Sequence, residues 1–217
     1  MKDSYFIGLL TIILFITVLF SAFLGRIFPP PDIELETFDF SKHNKLVFDD
    51  AFRGSNPDSN LTVAFFMDFK CPACIEQYPA IKRLMINHSD VNFLYKHLVY
   101  SSDEDGKIAA IAFECAKMQD KGYTLADYLF THQFTAKDLF AYLDIIEINR
   151  QQFDDCFNST LIRNLVEADA MHAQYLEIRG SPTMFINGIK VEGVHSYEVL
   201  DQLIREEKKN KTFIENE

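Results

Sequence analysis

The sequence predicts an α/β fold: a sheet domain interrupted by a helical insertion and preceded by an N-terminal transmembrane helix. Three observations predict it. Residues 4–25 carry no charge and are mostly large and apolar. Short apolar runs at 62–67, 91–99, 183–186 and 190–192 read as strands. Between about residues 102 and 178 the apolar residues recur at helical spacing instead. Strands on both sides of a long helical stretch read as one sheet whose halves the insertion separates in the chain.

The elements follow in order. An uncharged run of this length crosses a hydrocarbon core of about 30 Å as a single helix. The competing reading is a cleaved signal peptide, which has a shorter apolar core and two small residues at its cleavage site. Residues 21–25 offer no pair of small residues two apart, and no cysteine lies there for a lipid anchor. The expectation is an uncleaved, single-pass anchor over 1–26. Lys2, Asp3 and Arg26 give too weak a charge bias to set its orientation. Pro29, Pro30 and Pro31 then form a stiff spacer, and an acidic stretch at 32–39 completes a Pro-rich and acidic linker over 27–44.

The domain is expected over 45–210, with a short tail at 211–217. A first short strand is expected at 46–48 and a buried central strand at 62–67. A helix follows from 71 to 86, with Ile75, Tyr78, Ile81, Leu84 and Met85 on its apolar side. The strand at 91–99 carries Lys96 and His97 near its exit. In the insertion, Ala109, Ala110, Phe113 and Ala116 mark one helix and residues 125–134 another. Leu139, Leu143 and Ile146 mark the next, and Leu161, Leu165, Ala168 and Tyr175 a long last one. Strands return at 183–186 and 190–192, and a final helix runs over 197–207.

Composition excludes one class of function. The 21 Lys and Arg against 32 Asp and Glu give a net charge of −11, and no basic patch stands out, so no nucleic-acid partner is expected. The 21 Phe and absent Trp read as packing. Phe65, Phe66 and Phe69 are core or rim groups, and a rim would suit unfolded chains that expose apolar side chains.

The chemistry sits in Cys71-Pro72-Ala73-Cys74, between an apolar strand and a helical pattern. The first thiol lies at a helix N-terminus, where unpaired N–H groups favour a thiolate. Pro72 suits the first helical position. The second thiol lies one turn on, within reach of a mixed disulfide formed on the first. The other reading is half of a zinc site, or chance. Zinc needs two more ligands in a second CxxC or a spaced His pair, and neither pattern is present. Downstream, Ser181-Pro182 leads into an apolar strand closed by Asn187-Gly188, a hairpin turn signal.

The two motifs together resemble the thioredoxin-fold oxidoreductases. Residues 56–63, 109–116, 153–156, 180–188 and 191–194 narrow the resemblance to the DsbA-like branch, over about residues 45–208. The resemblance implies a thioredoxin-like fold, with the insertion between an active-site βαβ half and a cis-Pro ββα half. It implies that Cys71 is the exposed nucleophile and Cys74 its buried partner, with Ser181 and Pro182 binding the substrate backbone. It also implies a bacterial protein facing the periplasm or cell exterior from the cytoplasmic membrane, where paired cysteines persist. Its partners would be exported proteins with free thiols and a membrane redox partner that recycles the pair. No cofactor or metal is implied.

Two departures from the family pattern stand out. Between the cysteines, where strong oxidants of the family often carry a His, this chain has Pro72 and Ala73; Lys70 is then a candidate to support the thiolate. Six residues before the first cysteine, where the family has a buried acid, stands Phe65. Asp68 or water is the candidate substitute for proton transfer at Cys74. For Cys115 and Cys156 two readings stand: a structural disulfide across the insertion, favoured by export and an even cysteine count, or two buried free thiols. The leading function is a protein thiol:disulfide oxidoreductase that oxidises exported proteins. A reductase or isomerase of the same fold, and a non-enzymatic chaperone or metal-binding module, are the alternatives.

Overall fold

The computed structural model describes residues 36–37, 59, 61–99 and 103–214, with side chains described for 59, 61–99 and 103–210. The expected anchor at 1–26, most of the linker, the strand expected at 46–48 and the end of the tail lie outside the described residues. Among the described residues no helix is long and apolar enough to cross a membrane.

Five strands form one sheet: β1 (Glu36–Thr37), β2 (Thr62–Met67), β3 (Asn92–His97), β4 (Thr183–Ile186) and β5 (Ile189–Glu192), in the order β1-β5-β4-β2-β3. β2 and β3 are parallel, with Met67 opposite His97, and the helix α1 (Pro72–Asn87) connects them. β4 runs antiparallel to β2, with Val63 opposite Ile186. β4 and β5 form a hairpin closed by Asn187 and Gly188, both at positive φ, as a tight turn matched to strand twist requires. Glu36 and Thr37, expected in the linker, pair with Lys190 and Ile189 as the edge strand β1. Backbone pairing to an open strand edge decides their state, and their acidic sequence context carries no sign of it.

The sheet is covered on both faces, so β2 reads as one continuous apolar run. Val63, Phe65 and Met67 face the larger core, which includes side chains of α1 and of the C-terminal helix α7 (Tyr197–Ile214). Ala64 and Phe66 face a smaller cluster with Leu94 and Phe185. The insertion consists of α2 (Glu104–Lys117), α3 (Gly122–Thr131), α4 (Ala136–Ile145), α5 (Arg150–Phe157) and α6 (Thr160–Tyr175). Side chains of Asp103, Thr135, Asn149 and Ser159 accept from the first turns of α2, α4, α5 and α6.

α6 packs on the smaller cluster through Ala173, with Leu176 just beyond its end, and covers the edge of β3. Asp169 accepts from the His97 N–H at 2.9 Å and from the Lys96 ammonium at 3.0 Å, with both side chains of the ion pair buried. The inward face of this helix is Val166, Asp169 and Ala173. Leu161 and Tyr175, expected to mark it, point to solvent. The helix carries two apolar stripes, and an acidic residue on the inner one disguises it.

Candidate active site

Cys71 is the N-cap residue of α1, in extended conformation, and Pro72 opens the helix. The Cys71 N–H donates to Asp68 O at 3.2 Å, and Ile75 N–H donates to Cys71 O at 3.0 Å, which closes the first turn. No side chain caps this helix start, and its first turn carries no acidic residue. Both thiols are free; Cys71 is half-buried and Cys74 fully buried. The Cys71 thiol donates to the carbonyl of Ser181 at 3.4 Å. The Ser181–Pro182 peptide bond is cis. Residues 110 positions apart in the chain thus meet at the sulfur. The Ser181 hydroxyl is buried near Cys74 and reaches no regular hydrogen-bond geometry among the described residues.

Burial pushes the Cys74 thiol well above its ordinary range, with the Asp68 N–H, 3.5 Å from its sulfur, opposing the shift. Asp68 is itself 3 % exposed. Burial raises its carboxyl above the usual range, and the Lys70 N–H, donating to Oδ1 at 2.8 Å, offsets this in part. Asp68 thus presents its N–H to the buried thiol, while burial raises the proton affinity of its own carboxyl.

Lys70, the candidate to support the thiolate, has its partners in the insertion. Its ammonium donates to Phe134 O at 3.0 Å, lies 4.9 Å from the Phe134 ring centroid and is 3.9 Å from Asp105. A carbonyl, a ring and a carboxylate from the insertion hold the cation there. Phe65, Phe66 and Phe69 are all core. Phe69 stacks on Tyr95 at 5.2 Å and lies 4.8 Å from Phe130, so none of the three forms a rim.

α1 differs from its expected pattern in one turn. Ile75 is 38 % exposed, whereas Gln77 is completely buried. The Gln77 amide meets the backbone of His195 twice: Nε2 donates to His195 O at 3.1 Å, and His195 N–H donates to Oε1 at 2.6 Å. Behind the site, His97 is buried among Tyr95, Phe69 and Phe113, with Nε2 3.0 Å from Glu114 Oε1. Burial raises the Glu114 carboxyl, but hydrogen bonds and charge from His97 and Lys117 outweigh it and bring it to about 2. These groups escape a reading of the sequence. The one visible signal is a Gln amid the apolar positions of an otherwise regular helix.

Cys115 on α2 and Cys156 on α5 form a disulfide, with Cα atoms 5.7 Å apart. Among the described residues no three His, Cys, Asp or Glu side chains converge as metal ligands.

The family model described as thioredoxin matches residues 49–206. A Na(+)/H(+) antiporter, NhaA 3 of Salinispora tropica, is 26% identical over 150 residues, which cover 68% of this chain and 23% of the antiporter. The chain thus spans about a quarter of the length of the curated antiporters it matches. A probable disulfide bond formation protein D of Bacillus cereus is 27% identical over 170 residues, 70% of this chain and 74% of that protein. Among solved structures, the thiol-disulfide exchange protein alpha-DsbA2 of Wolbachia pipientis superposes with a TM-score of 0.69 at 18% identity. The match covers 77% of this chain and 92% of that one, and it is a likeness of fold.

Proposed function

We propose that this chain, which belongs to the thioredoxin family, is a thiol-disulfide oxidoreductase working through Cys71 and Cys74. The observation that carries the reading is the half-buried Cys71 sulfur 3.4 Å from Ser181 O, with Cys74 buried one turn behind it. The B. cereus relative, whose name describes disulfide bond formation, supports the same reading.

The direction we infer is oxidation of protein dithiols. A substrate thiolate attacks Cys71 Sγ of the Cys71–Cys74 disulfide. The S–S bond breaks, and Cys74 leaves as a thiolate that takes up a proton, with Asp68 or water as the donor. A second substrate thiolate then attacks the substrate sulfur of the mixed disulfide and releases Cys71. Two electrons pass from the substrate dithiol to the protein, and a membrane partner reoxidises the pair. Ser181 would present its backbone to the substrate strand beside Pro182. Helix α1 opens at Cys71 without an acidic residue to oppose negative charge, which favours the thiolate product.

The uncharged run at 4–25 supports a membrane anchor, and the Cys115–Cys156 disulfide supports an oxidising compartment outside the bacterial cytoplasm. The substrates would be exported proteins with free thiols.

Trapping tests the reading. The Cys74→Ala variant removes the resolving thiol, so mixed disulfides should accumulate on Cys71 when it meets oxidised exported proteins, visible as reducible bands on a gel. They should vanish when Cys71→Ser is added. Absence of any such species from the single variant would remove the enzyme reading.

A further inference from the structure

A buried glutamine in a helix that otherwise buries apolar groups and one cysteine needs a reason. Gln77 lies on α1, six residues beyond Cys71, and both polar atoms of its amide are used by one backbone unit, that of His195. A backbone segment placed beside a helix has no ladder partner, and here a side-chain amide replaces the missing strand.

The segment held this way joins β5 to α7. Its first residue, Gly193, adopts φ +85, a conformation that favours glycine. The Gly193 N–H donates to Pro182 O at 2.9 Å. Val194, between Gly193 and the clamped His195, is 39 % exposed, as is Ile75 at 38 % on the first turn of α1. The contacts close a ring: Cys71 sulfur to Ser181, Pro182 to Gly193, His195 to Gln77, and back along the helix to Cys71. The Pro182 carbonyl faces Gly193 and the Ser181 carbonyl faces the Cys71 thiol, so the backbone edge beside the sulfur is that of Ser181.

We propose that Gln77 is a positioning residue for polypeptide substrates. It fixes the 193–195 segment against the cysteine helix and so sets the width of the cleft in which an extended chain lies across Ser181. A polypeptide thiol needs that width to reach Cys71, whereas a small thiol needs only the sulfur. The inference rests on the thiol-exchange reading above and specifies how that site distinguishes its substrates.

The test compares two probes on the full chain: a short extended peptide carrying two thiols, and glutathione. Replacing the amide by a shape-matched apolar group, Gln77→Met, should lower the ratio of peptide kcat/KM to the glutathione rate constant about tenfold, through KM, since two hydrogen bonds are lost. Gln77→Glu gives a sharper signature. Its neutral carboxyl can both donate to His195 O and accept from His195 N–H, but its carboxylate can only accept. The ratio for this variant should approach wild type at low pH and fall as pH rises, whereas that of Gln77→Met stays low at every pH.

A Gln77→Met ratio within twofold of wild type would overturn the inference, as would a Gln77→Glu variant that tracks Gln77→Met at all pH values. Should Gln77→Met not fold, the pH response of Gln77→Glu alone decides. If the wild-type chain exchanges thiols with neither probe, the underlying function fails as well, an outcome distinct from a normal wild type with unchanged variant ratios.

Discussion

Asp68 joins two facts that alternation along a strand obscures: its N–H faces Cys74 and its carboxyl is buried. The residue lies just past the end of β2, where the chain turns toward the helix, so strand alternation no longer dictates its direction. Asp68→Asn keeps the acceptor for the Lys70 N–H but cannot exchange a proton. It should slow disulfide exchange by about a hundredfold and flatten its pH dependence, as stopped-flow kinetics across pH would read. An unchanged rate and profile would exclude Asp68. Glu114 makes a prediction of opposite sign. Its carboxyl is lowered to about 2 in the folded protein, against an ordinary value of 4.5. Its contribution, about 3 kcal/mol, is therefore fully present above about pH 4.5 and lost as pH falls through about 2. Glu114→Gln should destabilise the protein by about that amount at pH 7 and much less near pH 3, measured by urea denaturation at both. The two cysteines and Pro182 are legible in the sequence because short motifs announce them. Lys70 and Gln77 are not, since their partners, Phe134 O and the His195 backbone, lie far along the chain and are chosen by packing.

Elements follow the same division. α1 is legible from Pro72 and its apolar spacing, and the hairpin of β4 and β5 from Asn187-Gly188, because local backbone preference decides both. The inner face of α6 is hidden by Asp169, a charge that is buried only because Lys96 and the His97 N–H await it. β1 is hidden as well, since its two residues acquire strand character from β5 alone. Within the insertion, the Cys115–Cys156 bond ties α2 to α5 across 41 residues. Loop-closure entropy for that span corresponds to about 4 kcal/mol. Replacing both cysteines by Ala should lower stability by up to about that amount, seen as an earlier denaturant midpoint. Exchange at Cys71 should persist at temperatures where the variant remains folded. A midpoint that did not move would mean the α2–α5 packing holds without the bond.

For the whole molecule, the fold class was readable because strand runs flank a helical stretch, while the direction of the chemistry is a property of the entire sulfur environment. It is measured as the reduction potential of the Cys71–Cys74 pair in glutathione buffers. A dithiol oxidase should lie well above about −180 mV, and a value near about −270 mV would make the protein a reductant instead. The four cysteines also set a problem of maturation. The same 41-residue spacing separates Cys74 from Cys115 and Cys115 from Cys156. Chain statistics give those two pairings equal weight in an unfolded polypeptide. One yields the scaffold bond; the other would consume the inner sulfur of the proposed redox pair. The fold separates them: packing brings α2 and α5 together at Cys115 and Cys156, and α1 holds Cys74 inside as a free thiol. On the function proposed above, a protein that forms disulfides in others must first receive the right one itself, and its folding decides which pairing that is.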